Sequence, residues 1–221
     1  LDFDLPMSNE DMEEIKYKVL DANGIIDGYL RPFCWRGSEM MAISAQDTTT
    51  HVGVAAWNWP SYFDPETKMK GITLDIADWR RPSPDSAPVQ AKAAGLYMIC
   101  TLAKHNAERK GFQDALMLDY RGYVAEATGA NIFFVMNDGN IHTPIADCFL
   151  DGITRKTVIE LAKSAGWEVQ ERHIRLQELE NATEAFLTGT AAEITPVSKI
   201  GDYVFKPSLA CRSLVEAYSA E

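Results

Sequence analysis

The stretch EAFLTGTAAEITPV, residues 184–197, places apolar and β-branched residues on both sides of a small turn around Gly189. This pattern predicts a strand, a tight turn and a second, antiparallel strand. The pair Asp138 and Gly139 predicts another hairpin, because Asp-Gly suits a two-residue turn. Helical stripes of apolar residues alternate with these hairpins along the chain. The mixture predicts the α+β class, or a mixed α/β fold with an antiparallel sheet.

The turn inside this stretch also has features of an anion-binding loop. Gly189 and the two alanines that follow Thr190 let the backbone come close to a ligand. Successive N–H groups in such a turn can form an anion-binding nest, and the hydroxyls of Thr188 and Thr190 add donors. Glycine-threonine turns are common, so this stretch alone identifies no ligand.

A second candidate anion site is DGITRKT, residues 151–157, at the start of a helix predicted over 153–165. The free N–H groups and the partial positive charge of a helix N-terminus favour a phosphate. Asp151 can cap the same helix, and a capping carboxylate and a phosphate require the same amides. We therefore expect Asp151 not to cap the helix when phosphate is bound.

Two further stretches contain charged residues among small or apolar ones. EATGAN, residues 126–131, makes Glu126 either part of a solvated turn or a buried carboxylate that faces a cation. VQAKAAGLY, residues 89–97, begins a helix predicted over about 91–110, with Lys92 on the same face as apolar residues. That lysine either extends into water or lies in a dry site where its amine acts as a nucleophile. The residues themselves leave both alternatives open.

Charge and cysteine content exclude several classes of partner. The net charge is −11, which disfavours binding to nucleic acid and to anionic membranes. The four cysteines form no CxxC pair and the four histidines no cluster, so we expect no metal site and free thiols in a reducing cytoplasm. No apolar run is long enough for a membrane span.

The proline-rich stretch RRPSPDSAP, residues 80–88, predicts a domain boundary. We assign residues 1–80 to a smaller N-terminal α/β domain, 81–90 to a linker and 91–221 to a larger C-terminal domain.

The order and spacing of these motifs resemble one family. The stretches that carry the resemblance are YLRP at 29–32, AKAAGLY at 91–97, EATGANIFFV at 126–135, LDGITRKTV at 150–158 and TGTAAEITPV at 188–197. From about residue 28 to 205 the chain resembles the class IV pyridoxal-phosphate aminotransferases, or fold type IV, and within them the branched-chain-amino-acid aminotransferases. The resemblance implies that pyridoxal 5′-phosphate is the cofactor and that Lys92 is the catalytic lysine that binds it covalently.

The resemblance also implies roles for other residues. Tyr97 matches the tyrosine near the phenolic oxygen of the cofactor, and Glu126 matches the glutamate at its ring nitrogen. The other implied cofactor-binding residues, several of them at the phosphate, are Asn131, Leu150, Ile153, Thr154 and Thr190. The implied substrate-binding residues are Tyr29, Arg31, Thr190, Ala191 and Ala192.

The implied activity is transamination of branched-chain L-amino acids with 2-oxoglutarate. The stretch 34–50 departs from the glycine-rich pattern of branched-chain enzymes, and Trp35 adds bulk there. Alternatives therefore stay open: D-amino acids, (R)-amines, aminodeoxychorismate lyase chemistry, or a scaffold without catalytic activity. The resemblance also implies a homodimer or larger homo-oligomer. We expect about 65 further residues before Leu1, which would complete the smaller domain and cover an open sheet edge.

Overall fold

The computed structural model describes residues 1–2, 4–59 and 69–220. The chain divides into two compact units, Leu1–Ser61 and Tyr62–Glu221. Helices and mainly antiparallel strands occur in both, which confirms the predicted α+β class. None of the helices in the described ranges has the length and the apolar character needed to cross a membrane.

The smaller unit consists of helix α1 (Asn9–Asn23) and strands β1 (Tyr29–Arg36) and β2 (Thr50–Trp57). A reciprocal capping box starts the helix: the Asp11 N–H donates to Ser8 Oγ, and the Ser8 N–H donates to the Asp11 carboxylate. Gly24 ends it with a positive φ of 62°, a conformation that glycine adopts without strain. The two strands pair in antiparallel register.

The larger unit contains the remaining elements. Its helices are α2 (Tyr97–Arg109), α3 (Ile153–Ser164) and α4 (Leu209–Ser219). Its strands are β3 (Ile72–Arg81), β4 (Asp114–Asp119), β5 (Val124–Ala127), β6 (Asn131–Met136), β7 (Ile141–Pro144), β8 (Val169–Arg172), β9 (Ala182–Gly189), β10 (Glu193–Ile200) and β11 (Tyr203–Val204). The hairpins predicted around residues 138 and 190 are the pairs β6–β7 and β9–β10.

These nine strands form one curled sheet. Its order is β5-β4-β3-β10-β9-β6-β7-β8, with β11 beside β10. Only residues 128–130 separate β5 from β6 in the chain, although the two strands lie five places apart in the sheet. The sheet must therefore curl until its β5 end approaches β6, and the Ala127 N–H donates to the Ala130 carbonyl across the gap.

The curl gives each strand an inner and an outer face. Along β6, Ile132 and Phe134 pack inside the curl, whereas Phe133 and Val135 pack outward against α3 and α4. This alternation follows the two-residue period of a strand. A third cluster joins α2 to β3 and β4 through small residues such as Ala103 and Ala115. The packed sheet supplies a rigid frame for the turns at its open end.

Two sequence-based predictions are wrong. The smaller domain does not extend to residue 80, because β3 lies between β4 and β10 in the large sheet. The helix predicted from about residue 91 begins only at Tyr97, after a 3₁₀ turn at Ala94–Leu96. Ala93 is extended, with ψ of 134°, and Gly95 contributes little to a helix. Lys92 therefore lies in an irregular segment before the helix, not on an apolar helix face.

Candidate active site

A cavity of about 330 Å³ lies in the larger unit where the sheet curls. The eight positions predicted to bind the cofactor all line it: Lys92, Tyr97, Glu126, Asn131, Leu150, Ile153, Thr154 and Thr190. They come from separate segments of the chain. A volume of this size is in the range of small-molecule sites.

The wall nearest α2 carries Lys92 and Tyr97. Lys92 is solvent-exposed in its irregular segment, and Tyr97 is 38% exposed at the first residue of the helix. The segment before the helix, rather than the helix itself, brings the amine to the cavity. An exposed amine beside a cavity is accessible to a reactive ligand.

Glu126 lies deep in the cavity at the end of β5, and only 8% of its surface is exposed. Burial raises the pKa of this carboxyl to about 8, although Arg81 opposes the shift. The Arg81 Nε atom lies 3.3 Å from one carboxylate oxygen. The Asn131 side-chain amide approaches the other at 3.5 Å. A cation placed against this carboxylate would lower its pKa again, so the site favours a positively charged group.

Arg81 is a residue that the sequence analysis missed. It is 4% exposed at the end of β3, and its Nη1 atom lies 3.4 Å from the Leu96 carbonyl and 3.5 Å from Cys100 Sγ. The prolines after it suggested a linker, which hid the fact that the strand continues to this residue. Its pairing with Glu126 depends on the order of β3, β4 and β5 in the sheet, which no local pattern shows.

The N-terminus of α3 opens onto the same cavity. Its N-cap residue, Gly152, makes no side-chain cap, and its own N–H donates to Asn131 Oδ1 at 3.2 Å. A Cβ at residue 152 would lie 2.4 Å from that oxygen, so a larger residue there would displace the Asn131 side chain. The amides of Ile153 and Thr154 follow in the first turn, where helix N–H groups have no intrahelical acceptor.

Asp151 does not cap this helix. One carboxylate oxygen accepts a hydrogen bond from Arg155 Nη1 at 2.8 Å, and the other lies 3.3 Å from Lys156 Nζ. Neither carboxylate oxygen accepts a hydrogen bond from the first amides of the helix. The amides of Ile153 and Thr154 are therefore left without a side-chain cap from the described residues.

The β9–β10 turn completes the cavity. Thr188 Oγ1 is fully buried and has no hydrogen-bond partner among the described residues, while Thr190 is exposed in the turn itself. Thr188 pairs directly with Asn131 of β6 in the sheet, so their side chains share one face. A buried hydroxyl without a partner costs free energy, which a polar ligand would recover.

Tyr29 and Arg31 belong to the smaller unit. The Arg31 guanidinium lies 5.3 Å from the ring centroid of Tyr29 and 5.4 Å from that of Trp57. Trp59 packs on both of these aromatic rings. The two tryptophans are further residues that the sequence analysis did not single out. Roles in substrate binding stay predictions for Tyr29 and Arg31.

One group of potential metal ligands occurs in the described ranges, away from the cavity. It comprises Asp119, Asp147 and Cys148. Arg121 Nη2 lies 2.7 Å from the Asp119 carboxylate and 2.8 Å from that of Asp147. In this structure the arginine side chain bridges the two carboxylates.

Comparison with known proteins places this chain in a family. The model of the amino-transferase class IV family matches residues 1–200. A probable branched-chain-amino-acid aminotransferase of Rickettsia felis is 43% identical over 196 residues, which cover 89% of this chain and 66% of the relative. The branched-chain-amino-acid aminotransferase of Pseudomonas aeruginosa is 36% identical over 200 residues, covering 90% of this chain and 65% of the relative.

A solved structure gives the same result. The branched-chain amino acid aminotransferase from Thermobaculum terrenum in its PLP-form superposes with a TM-score of 0.88 at 30% identity, covering 97% of this chain and 71% of that one. The chain spans slightly less than two thirds of the length of the curated relatives described above. The match over residues 1–200 and these identities show that the chain belongs to the class IV aminotransferase family.

Proposed function

We propose that the protein is a pyridoxal 5′-phosphate-dependent aminotransferase that moves the amino group of branched-chain L-amino acids to 2-oxoglutarate. One observation carries the proposal: a single cavity unites an accessible amine, a buried carboxylate and an uncapped helix N-terminus. The curated relatives described above, to which the chain is at least 36% identical, are called branched-chain-amino-acid aminotransferases.

The residues of the cavity fit this cofactor. Lys92 offers an amine for the aldehyde, the α3 amides and Thr190 offer donors for the phosphate, and Glu126 offers a carboxylate for the protonated ring nitrogen. The buried hydroxyl of Thr188, which has no partner among the described residues, favours a polar ligand in the cavity. When bound, the cofactor supplies an electron sink for a carbanion at the substrate α-carbon.

The protein supplies binding, orientation and proton transfer. When the Lys92 amine is not bound to the cofactor, it can take a proton from the substrate α-carbon and deliver it to a neighbouring carbon atom. It would then act as a general acid–base group that is already in place. Glu126 would hold the proton on the ring nitrogen of the bound cofactor. The backbone of Thr190, Ala191 and Ala192 would hold the substrate carboxylate, because the turn presents small side chains and successive N–H groups.

The donor specificity is the part of the proposal that depends on the smaller unit. Arg31 could pair with the distal carboxylate of glutamate in a charge-assisted contact, and its neighbours Tyr29 and Trp57 offer apolar surface for aliphatic side chains. Trp35 stacks between Phe33 and His51, with ring centroids 5.4 and 5.3 Å away. This bulk favours the alternative, a fold type IV transaminase for D-amino acids or (R)-amines.

An amino-donor screen tests the proposal. The purified protein, loaded with pyridoxal 5′-phosphate, is given L-leucine, L-isoleucine, L-valine, D-alanine or an (R)-amine as donor, each with 2-oxoglutarate and with pyruvate. We expect glutamate to form from the branched-chain L-amino acids, and Lys92→Ala to abolish it. Preference for D-alanine or an (R)-amine would support the alternative. An inactive wild-type protein that binds no cofactor would contradict both.

We also propose that the protein works in the cytoplasm as a homodimer or larger homo-oligomer. The support is the resemblance to the family and the absence of any disulfide among the described cysteines, Cys34, Cys100, Cys148 and Cys211. Light scattering of an active sample should give at least twice the 24.6 kDa mass of one chain. An active monomer would contradict the oligomeric part.

A further inference from the structure

Arg155 is a buried charged residue that does not line the cavity, and no role in the proposed reaction has been given to it. Only 2% of its surface is exposed. Its Nη1 atom donates to Asp151 Oδ1 at 2.8 Å, and its Nη2 atom donates to the Pro144 carbonyl at 3.0 Å and to Glu171 Oε2 at 2.6 Å. These contacts fix the guanidinium between α3, the end of β7 and β8.

The position of Asp151 makes its contact with Arg155 unexpected. If α3 began one residue earlier, Asp151 would be its N-cap, and Ile153 and Thr154 would be the second and third helical residues. Those are the residues whose N–H groups an N-cap side chain accepts, and aspartate is among the preferred N-caps. In the structure the aspartate instead bonds to the arginine, and the helix makes no side-chain cap.

Glu184 shows what a carboxylate at a helix N-terminus does in the same unit. Its oxygens accept the N–H groups of Ser208, Ala210 and Cys211 at the start of α4, at 2.7 to 3.2 Å. A carboxylate near such amides binds them when no cation draws it away. Asp151 would do the same at α3 without Arg155.

We infer that Arg155 is a positioning residue that keeps the amides of Ile153 and Thr154 open for a phosphate by holding the Asp151 carboxylate away from them. The inference rests on the proposed function, in which that phosphate belongs to pyridoxal 5′-phosphate. The buried hydroxyl of Thr188 is an independent sign of a polar ligand in this cavity, because it has no partner among the described residues.

The test compares two substitutions that remove the same charge. Arg155→Met frees Asp151 to cap α3, and Lys156→Met removes the exposed cation that also contacts this carboxylate. We expect Arg155→Met to weaken binding of inorganic phosphate and of pyridoxal 5′-phosphate about fivefold, the equivalent of one side-chain cap that must open first. Lys156→Met should change either affinity less than about twofold, since exposed pairs contribute little.

Removal of Asp151 then separates capping from a simple loss of positive charge. In the Arg155→Met background, Asp151→Ala should restore affinity to about the wild-type value, whereas in the wild-type background it should change affinity less than about twofold. Amide ¹⁵N spectra give a readout without ligand: the Ile153 and Thr154 signals should shift in Arg155→Met and return in the double variant. Equal effects of Asp151→Ala in both backgrounds would overturn the inference.

Thermal unfolding establishes that each variant is folded. If Arg155→Met does not fold, Arg155→Lys takes its place, because lysine keeps the charge but not the planar fork that binds three oxygens. It should weaken phosphate binding about two- to threefold, and Asp151→Ala should reverse the loss. Wild-type protein that binds neither phosphate nor the cofactor would refute the proposed function, whereas binding that Arg155→Met or Arg155→Lys leaves unchanged would refute only the role of Arg155.

Discussion

The helices α3 and α4 begin in the same unit and satisfy their first turns in opposite ways. At α4, the buried Glu184 carboxylate accepts three backbone N–H groups. At α3, the N-cap is a glycine, and the nearby Asp151 is held by Arg155. One N-terminus is closed by the protein and the other faces a cavity. We therefore propose that the N-terminus of α4 contributes to stability, whereas that of α3 keeps its amides for a ligand.

The largest effect should come from removing the internal cap of α4. Glu184→Ala leaves three amides without their acceptor in a buried site, and we expect the free energy of unfolding to fall by about 3 kcal/mol. Denaturant unfolding measures the change. Glu216→Ala, at an exposed position of the same helix, should cost less than about 0.5 kcal/mol. Equal losses in the two variants would show that the three bonds do not stabilise α4.

Glu126 sharpens the comparison, because it is buried like Glu184 but has no helix amides. Its folded-state pKa of about 8 lies above the unfolded value of about 4.3. Its contribution to stability is therefore fully present below about pH 4.3 and is lost as the pH rises to about 8. We expect the unfolding free energy of the cofactor-free protein to fall across this window, and the fall to shrink in Glu126→Gln. If the unfolding free energy falls equally with pH in both proteins, groups other than Glu126 cause the fall.

When the cofactor is bound, loss of the Glu126 carboxylate should affect turnover. In the proposed role, Glu126→Ala would remove the contact that keeps the ring nitrogen protonated, so turnover should fall about a hundredfold. Cofactor affinity, measured by absorbance, should fall much less. A variant with nearly normal turnover would contradict this role.

Substitution of Thr188 should change protein stability and cofactor affinity in opposite directions. Thr188→Val removes a buried hydroxyl that has no partner among the described residues, so the cofactor-free protein should become more stable by about 1 kcal/mol. Cofactor affinity should nevertheless decrease. The matched control is Thr195→Val, because the buried Thr195 hydroxyl donates to the Ala192 carbonyl at 2.7 Å and its loss should destabilise. A destabilised Thr188→Val protein would indicate that the hydroxyl has a protein partner.

The smallest effect should come from Thr190, which is exposed in the β9–β10 turn. Thr190→Val should leave stability within about 0.5 kcal/mol and should weaken phosphate binding about two- to fourfold, through loss of about one hydrogen bond. Cofactor titration measures the affinity. Unchanged affinity would remove Thr190 from the phosphate site.

The sequence predicted elements whose signals are local. The hairpin at Asp138 and the helix that begins at Ile153 both match the structure, since turn chemistry and helix starts depend on neighbouring residues. The segment before α2 was misjudged because small residues are compatible with a helix without requiring one. Lys92 consequently reaches the cavity from an irregular segment.

The sequence could not predict contacts that depend on sheet order. Arg81 on β3 meets Glu126 on β5 only because these two strands flank β4 in the sheet. Arg155 meets Glu171 only because α3 packs beside β8. The resemblance to the family located the cavity residues, but it gave no reason for Asp151 to leave its own helix uncapped. That reason required the position of a buried arginine.

The most direct test of the account is a titration of ¹⁵N-labelled protein with inorganic phosphate, followed by amide chemical shifts. The account predicts saturable shifts at Ile153 and Thr154 and unchanged signals at Ser208, Ala210 and Cys211, because α4 is closed by Glu184. Saturable shifts elsewhere, with Ile153 and Thr154 unaffected, would contradict the claim that α3 is the phosphate site.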